Sequence, residues 1–408
     1  MNFLKNFPSK DKLLEKHKAS DVLNVNGHIH TPYSFSAFHD ISQIFDMAQK
    51  ENIKVLGIND FFVSDGYRPF YERADQSKIF PLFNIEFIGL LKSEQEKGIR
   101  INDPNNPGRI YFSGKGLNYP FFLPPALRQK LDKVVAESQV QISQMITKAN
   151  EWFKTVTVPI VLNMTGIKRN YAKELIRERH IAKAIRIALF EKFHTDSERL
   201  EIFKKIYGGK ECKAALNDIP AIENEIRGNL LKSGGKAYVE EDDNAFMSLD
   251  EIIDIILTAG GIPCYPVLLD DKNGSYTEYE KDKDKLYTEL IQRKITCIEL
   301  IPGRNDFSPL KDFVKFFHDK GFIITFGTEH NAPELFPLTV DTRGKKPLDD
   351  ELKRISFEGC CAIAAHQYLQ ATGKKGYFHP CGTPRLSDLP EFIKLGNAVI
   401  REFTEEVD

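Results

Sequence analysis

The stretch Asn26-Gly-His28-Ile-His30-Thr-Pro-Tyr-Ser34 decides how the rest of this chain is read. Val22 to Val25 precede it as a short apolar strand. On a strand, residues i and i+2 share a face, so His28 and His30 aim both imidazoles into one space. Neutral imidazole is a common ligand of zinc, manganese and iron. Two strand-end histidines hydrogen-bonded to nearby groups would give the same pattern, so the following strands have to decide.

They repeat the arrangement. Ile53-Lys-Val-Leu-Gly-Ile58 reads as a second strand ending in Asn59-Asp60. Before it, Ile41, Ile44, Phe45 and Ala48 recur at helical spacing. Ile79-Phe-Pro-Leu-Phe-Asn-Ile85 is a third strand, ending in Glu86. Three strand-like runs thus end in chemically competent side chains, with a helix between the first two. That rhythm suits a parallel βα barrel, whose functional residues sit at the C-terminal strand ends.

Composition narrows the function. The 408 residues allow one large domain with an insertion, or two domains. Net charge is −2, which provides no global field for nucleic acid and leaves only local basic patches. No run of about 18 apolar residues occurs, so no membrane span is expected. The N-terminus lacks the apolar core of a signal peptide. Cys212, Cys264, Cys297, Cys360, Cys361 and Cys381 form no C-x-x-C pair, as expected of reduced thiols in a cytoplasmic protein.

From about residue 91 the pattern changes. Residues 100–116 are loop-rich and carry Arg100, Arg109 and Lys115. Residues 124–154 read as helix, 155–164 as a β-branched strand, and 217–232 as helix. Residues 168–192 form a basic helical stretch in which Arg179, Lys183 and Arg186 share one face. This would be the place for nucleic-acid contact. The βα rhythm returns at Ser248 and Glu251, a capping box ahead of an apolar helix that Gly260-Gly261 ends. Strands follow at 262–269, 295–301 and 322–326, with Ser308-Pro309 as N-cap and first turn of the helix between the last two. The expected layout is barrel at 20–90, a mainly helical insertion at 91–245, barrel again at 246–345, and a helical and loop-rich extension at 346–408.

The order of these motifs resembles the PHP (polymerase and histidinol phosphatase) superfamily. The carriers are His28-x-His30, Asp60, Glu86, the insertion, Gly260-Gly-Ile-Pro263, Ile298-Glu-Leu300 and Gly327-Thr-Glu-His330. The resemblance covers about 20–90 and 245–340. It implies a distorted (β/α)7 TIM-like barrel that binds up to three metal ions and hydrolyses phosphate esters, and the insertion's place is most similar to the branch acting on nucleotides and RNA ends. Several positions depart from the pattern. Phe35 stands where the family has an Asp, Phe61 and Tyr265 where it has His, Glu329 in the Asp place and Asn331 in the last His place. What survives, by the family's pattern, is the ligand set of one ion: His28, His30, Glu86 and Glu329. The resemblance therefore implies one divalent ion, Zn, Mn or Fe, in place of the usual cluster.

One ion can polarise a phosphoryl oxygen but leaves the leaving group to cations. Arg304, Arg109 and Lys115 are the candidates for phosphate, since guanidinium forks match phosphate oxygens and ammonium supplies a point charge. Asp60 is a candidate proton acceptor or a carboxylate orienting a ligand histidine, and His330 a candidate acid or base. Phe35, Phe61 and Tyr265 either pack the space of the missing ions or form a wall for a base. Three functions stay open: a one-metal phosphoesterase on a phosphorylated small molecule or nucleic-acid end, a catalytically degenerate binding or regulatory module for a nucleotide, nucleic acid or protein, and a one-metal hydrolase of another ester or amide.

Overall fold

A computed structural model describes residues 2–270, 274–379 and 382–405. Cys381 lies outside the described residues. Seven strands form one sheet in chain order: β1 (Asn24–Ile29), β2 (Ile53–Phe61), β3 (Phe80–Leu90), β4 (Arg109–Lys115), β5 (Ile262–Val267), β6 (Cys297–Leu300) and β7 (Ile323–Phe326). Most neighbours are parallel; β4 runs antiparallel to both β3 and β5. Beyond β7 the chain turns back onto β1. His30 N–H donates to the Glu329 carbonyl at 2.7 Å, and Thr328 and Glu329 N–H donate to the His28 carbonyl at 3.1 and 3.0 Å. The sheet is thereby nearly closed into an α/β TIM-like barrel. Gly327 makes this closure feasible, because a Cβ there would collide with His28.

β4 is the strand that sequence does not announce. Arg109-Ile-Tyr-Phe-Ser-Gly-Lys115 lies within the expected loop and insertion, yet it pairs Ser113 with Glu86 on one side and Cys264 on the other. β3 runs four residues past Glu86 to meet it, so Glu86 is a mid-strand residue.

Amphipathic helices cover the barrel. Ile41–Lys50 buries Ile41, Ile44, Phe45 and Ala48, and Asp40 caps its start. Leu249–Thr258 has the expected Ser248–Glu251 capping box. Phe307–Asp319 begins one residue before Ser308, with Asp306 at the N-cap position. The Leu310 N–H already bonds the Asp306 carbonyl, and Pro309 in the first turn sacrifices no helical bond. The floor is the buried helix Asp350–Ala371. Gln367 bonds the backbone at the entry of β3, and His366 Nε2 lies 2.6 Å from the Gly260 carbonyl. A Cβ at Gly359 would strike the Ile324 carbonyl, so the helix passes against β7 at this glycine.

The helices of the insertion are Pro125–Thr155, Met164–Tyr171, Glu178–Lys192, Asp196–Ile206 and Ile219–Ile226. They bury a core of their own around Phe153, Ile181, Ile185, Phe203 and Ile222. The expected strand at 155–164 is a connection: 156–163 lie between the helix ending at Thr155 and the one starting at Met164. Pro159 lacks a donor for a ladder and Thr157 sits at φ 56°, which breaks an extended run. The basic stretch is two helices, separated at 172–177. Among the described residues, no helix is long and apolar enough to cross a membrane.

Candidate metal centre and its cationic cleft

His28 closes β1, His30 follows it, and Glu86 stands on β3 beyond β2; all three are buried. Their ligand atoms converge. His28 Nε2 is 3.2 Å from His30 Nε2, and Glu86 Oε2 is 3.0 Å from His30 Nε2 and 3.9 Å from His28 Nε2. Ligand atoms on one tetrahedral ion with bonds of about 2.0 Å stand about 3.3 Å apart.

The surroundings fix which nitrogens carry protons. His28 Nδ1 faces Glu299 Oε2 at 2.8 Å. A carboxylate only accepts, so Nδ1 holds the hydrogen and Nε2 presents a lone pair. The Ser34 hydroxyl donates to Asp60 at 2.7 Å, so its oxygen is free to accept from His30 Nδ1 at 3.3 Å. His30 Nε2 is then also a lone pair. The Asn59 amide nitrogen lies nearly equidistant from both nitrogens of His28, at 3.2 and 3.1 Å, and so is not aligned with the Nε2 lone pair. Glu86 Oε2 is buried with no hydrogen-bond partner. Three acceptors therefore face one point and require one positive charge between them.

The electrostatics agree. Burial pushes His30 down to about 4, so it is neutral at pH 7. Burial pushes Glu86 up to about 8, with His28 opposing and Glu329 and Glu299 adding to the rise. Without a cation, Glu86 holds a proton; a divalent ion would replace it. The donor set, two imidazoles and a carboxylate, fits zinc, manganese or iron.

Beneath the trio lies a filled polar layer. Lys115 Nζ and the Ser113 hydroxyl each donate to Glu299 at 2.5 Å, and Lys115 also donates to Asn59 at 3.2 Å. Burial alone would raise Glu299, yet Lys115 and His28 hold its carboxyl well below the usual range. Lys115 is thus a fully buried partner of Glu299 inside the barrel, not a rim cation for phosphate. Its place follows from β4: the side chain of an antiparallel strand's last residue points into the lower barrel.

Asp60 accepts from Thr31 N–H at 2.7 Å, Thr31 Oγ1 at 2.5 Å and Ser34 Oγ at 2.7 Å. It fixes the turn that carries His30 and reaches that ring through Ser34. His330 lies outside the cleft. Its Nε2 is 2.9 Å from the Phe336 carbonyl, its Nδ1 2.9 Å from Thr328 Oγ1, and its ring stacks on Phe38. Both nitrogens are engaged, which leaves none to exchange protons with a substrate. Glu329 does line the cleft, but its carboxylate is bonded to Arg304 and, at 2.8 Å, to the Asn331 amide. Glu329 and His330 sit consecutively at φ 67° and 57°, a strained backbone of about 1–3 kcal/mol per residue. That conformation turns Glu329 toward the trio and His330 away.

Phe35, Phe61 and Tyr265 are buried. Phe61 is stacked between the His30 ring, 4.7 Å away, and the Arg177 guanidinium at 4.5 Å. Tyr265 donates to Glu280 at 3.0 Å. These three pack the space and offer no open face for a base.

Above the trio is a cleft of ≈ 350 Å³. Arg304 and Arg109 line it from the barrel side, and Arg179, Arg227 and Lys232 from the insertion. Arg109 is paired with Glu241 at 2.6 Å. Arg227 and Lys232 share Glu178, at 2.7 and 3.2 Å. Burial and the neighbouring Arg227 push Arg179 down to about 10. Five cations line the cleft with four carboxylates, Glu86, Asp103, Glu299 and Glu329, and three of the cations, Arg179, Arg227 and Lys232, gather on the insertion side, a suitable environment for an anion. Of the expected basic face, Arg179 reaches the cleft, whereas Arg186 is paired with Glu223 within the insertion at 2.9 Å. Sequence pointed to neither Arg227, Lys232 nor Glu299 as part of the site. The one available signal was a glutamate inside the apolar run Cys297-Ile-Glu-Leu300.

No protein-family model matches the chain, and no curated protein matches it in sequence. Solved structures do. One, assigned as a metal-dependent phosphoesterase from Bifidobacterium adolescentis, superposes with a TM-score of 0.53 at 14% identity, over 82% of this chain and 96% of the other. Another, an amidohydrolase from Chromobacterium violaceum with bound sulfate and no metal, gives 0.51 at 17%, over 81% and 96%. At these identities the likeness establishes the shared fold.

Proposed function

We propose that this chain is a PHP-type, metal-dependent phosphoesterase that works with one divalent ion and acts on a nucleotide or a nucleic-acid end. The observation that carries the reading is the convergence of two imidazole lone pairs and an orphaned buried carboxylate at the foot of a cation-rich cleft. His28, His30 and Glu86 would hold the ion, with Glu329 a further carboxylate lining the cleft. When bound, such an ion polarises a phosphoryl oxygen and lowers the pKa of a coordinated water.

The chain's own residues supply the rest. Glu299, clamped by Lys115 and Ser113, orients His28; Asp60 and Ser34 orient His30. Arg179, Arg227 and Lys232 would take up phosphate charge on the insertion side, and Arg304 on the barrel side. An amide substrate would leave this excess of cations without purpose, which favours a phosphate ester over the chemistry named for the Chromobacterium neighbour. The insertion lines one side of the cleft through Arg179, Arg227 and Lys232. The second reading, a binding module without turnover, draws on one feature: Phe35, Phe61 and Tyr265 fill the positions of further ligands.

The test is a turnover screen of phosphomonoesters, nucleotides and short oligonucleotides, with Zn²⁺, Mn²⁺ or Fe²⁺ added. Metal-dependent phosphate release that His28→Ala abolishes is the expected result. Binding of these compounds without release in any metal would favour the module.

A further inference from the structure

The cleft has a neighbour. A second chamber of ≈ 400 Å³ opens on the far side of the Arg304–Glu329 ion pair. The two spaces share Arg179, Ile301, Arg304, Glu329 and Asn331, so they adjoin across the ion pair, which stands as a partition between them. Their chemistry differs. The cleft side holds the ligand trio's approach and, of the insertion's cations, Arg227 and Lys232, while Arg179 lines both spaces. The chamber is walled by Ile301, Ala332, Phe336 and Pro337, with Phe336 50% exposed along its edge. Its own charged groups beyond the partition are Glu334, Asp341 and Lys345, and Glu334 is bonded to the Asn224 amide. His330 lies along it with both ring nitrogens already bonded.

We propose that this chamber is the binding site for the organic part of the substrate: an uncharged, ring-bearing group whose phosphate lies across the partition in the cationic cleft. The proposal rests on the phosphoesterase reading and extends it to specificity. A phosphate prefers the side with surplus guanidinium, and an uncharged ring gains most where carbon lines the wall. The partition residue Arg304 touches both rooms, so it would contact the phosphate at the point where the ester leaves it. Gly303 lines the chamber and does not line the cleft. A Cβ there would meet only the Asp341 carbonyl, at 3.7 Å. A larger side chain at this position therefore fills the chamber without touching the metal trio.

The experiment uses two probes with an unbreakable carbon–phosphorus bond, methylphosphonate and phenylphosphonate, titrated calorimetrically into the Mn²⁺-loaded full chain. The expected result is that phenylphosphonate binds about tenfold or more tightly than methylphosphonate, the order of gain from burying a ring. Gly303→Leu should erase that difference and leave methylphosphonate affinity within about twofold, well below the tenfold that 1.4 kcal/mol would represent. Phe336→Ala, at a half-exposed position, is the second variant and should narrow the difference in the same direction. Equal affinities of the two probes for the native protein, or equal losses of both in Gly303→Leu, would overturn the chamber's assignment while leaving the phosphate cleft standing. Absence of binding by either probe would remove the phosphoesterase reading and the chamber's role with it.

Discussion

Among the described residues, two clusters bring histidine and carboxylate side chains within ligand range, and they are built on opposite principles. In the first, His17 joins the N-terminal segment to the C-terminal helix Leu389–Thr404. Its Nε2 faces Glu402 at 2.6 Å and its Nδ1 faces Glu405 at 3.1 Å. Lys16 reaches the same two carboxylates. Each ring nitrogen has its own partner, and the two point apart. In the second, the Nε2 atoms of His28 and His30 point at each other and at Glu86 Oε2, an oxygen without a partner. The first cluster is complete as it stands; the second is complete only with a cation in it. Density of His and Glu therefore does not define a metal site. Converging lone pairs with their outer nitrogens pinned by acceptors do.

The comparison can be broken most decisively at Glu86. Glu86→Gln keeps the shape and removes the charge. Metal uptake should fall below detection in calorimetry, while the metal-free protein should melt no lower than the native one, since a Gln amide N–H can donate to His30 Nε2 where the protonated Glu86 carboxyl does, 3.0 Å away. A large drop in metal-free stability would mean that Glu86 is a structural partner.

Glu299→Gln probes the layer below. Loss of an outer carboxylate on a ligand histidine typically costs about 10–100-fold in metal affinity. Here the change also leaves Lys115 buried without its counter-ion, a destabilisation of about 3–5 kcal/mol when a buried pair is broken. Chemical denaturation and metal titration read the two effects separately, and the double variant Glu299→Gln/Lys115→Met should recover most of the stability without the affinity.

A smaller effect sits in the insertion. Glu178 is held well below the ordinary glutamate value; burial alone would raise it, but Lys232, Arg227, Arg177 and Arg179 lower it. A depressed carboxylate contributes stability above its unfolded pKa and loses it as pH falls through the folded value. The native protein should therefore melt higher than Glu178→Gln by an amount that is constant from about pH 5 to 8 and closes below about pH 4. A gap that persists in acid would mean that the side chain's packing matters and its charge does not. Smallest is Lys16→Ala: its half-exposed ammonium pairs with Glu402 and Glu405, and such pairs are worth about 0–1 kcal/mol, so the melt should shift little.

Much of the barrel was legible because five strands are apolar runs punctuated by polar residues; the first was read too early, at Val22–Val25, whereas β1 spans Asn24–Ile29 and includes His28 itself. β4 was not legible. Its inward positions, Ser113 and Lys115, are polar because they serve the interior network, so the apolar signature shrinks to Ile110-Tyr-Phe112 between Arg109 and Ser113. The reverse error, a strand read into 155–164, came from β-branched residues whose context includes Pro159. At the site, spacing alone placed His28 beside His30, and strand order placed Glu86 within reach. His330 was misread because a residue next to Glu329 is close in sequence, while the left-handed turn sends it behind the cleft. Arg227 and Lys232 could not be found from sequence, since only the docking of the insertion over the barrel brings them to the phosphate side.

The most direct measurement is metal content by elemental mass spectrometry on untagged protein, for the native chain, His28→Ala/His30→Ala and His17→Ala. About one equivalent in the native chain and in His17→Ala, with none in the double variant, is the predicted result. No metal in the native chain even after addition of Zn²⁺ or Mn²⁺, or an equal loss in His17→Ala, would contradict it.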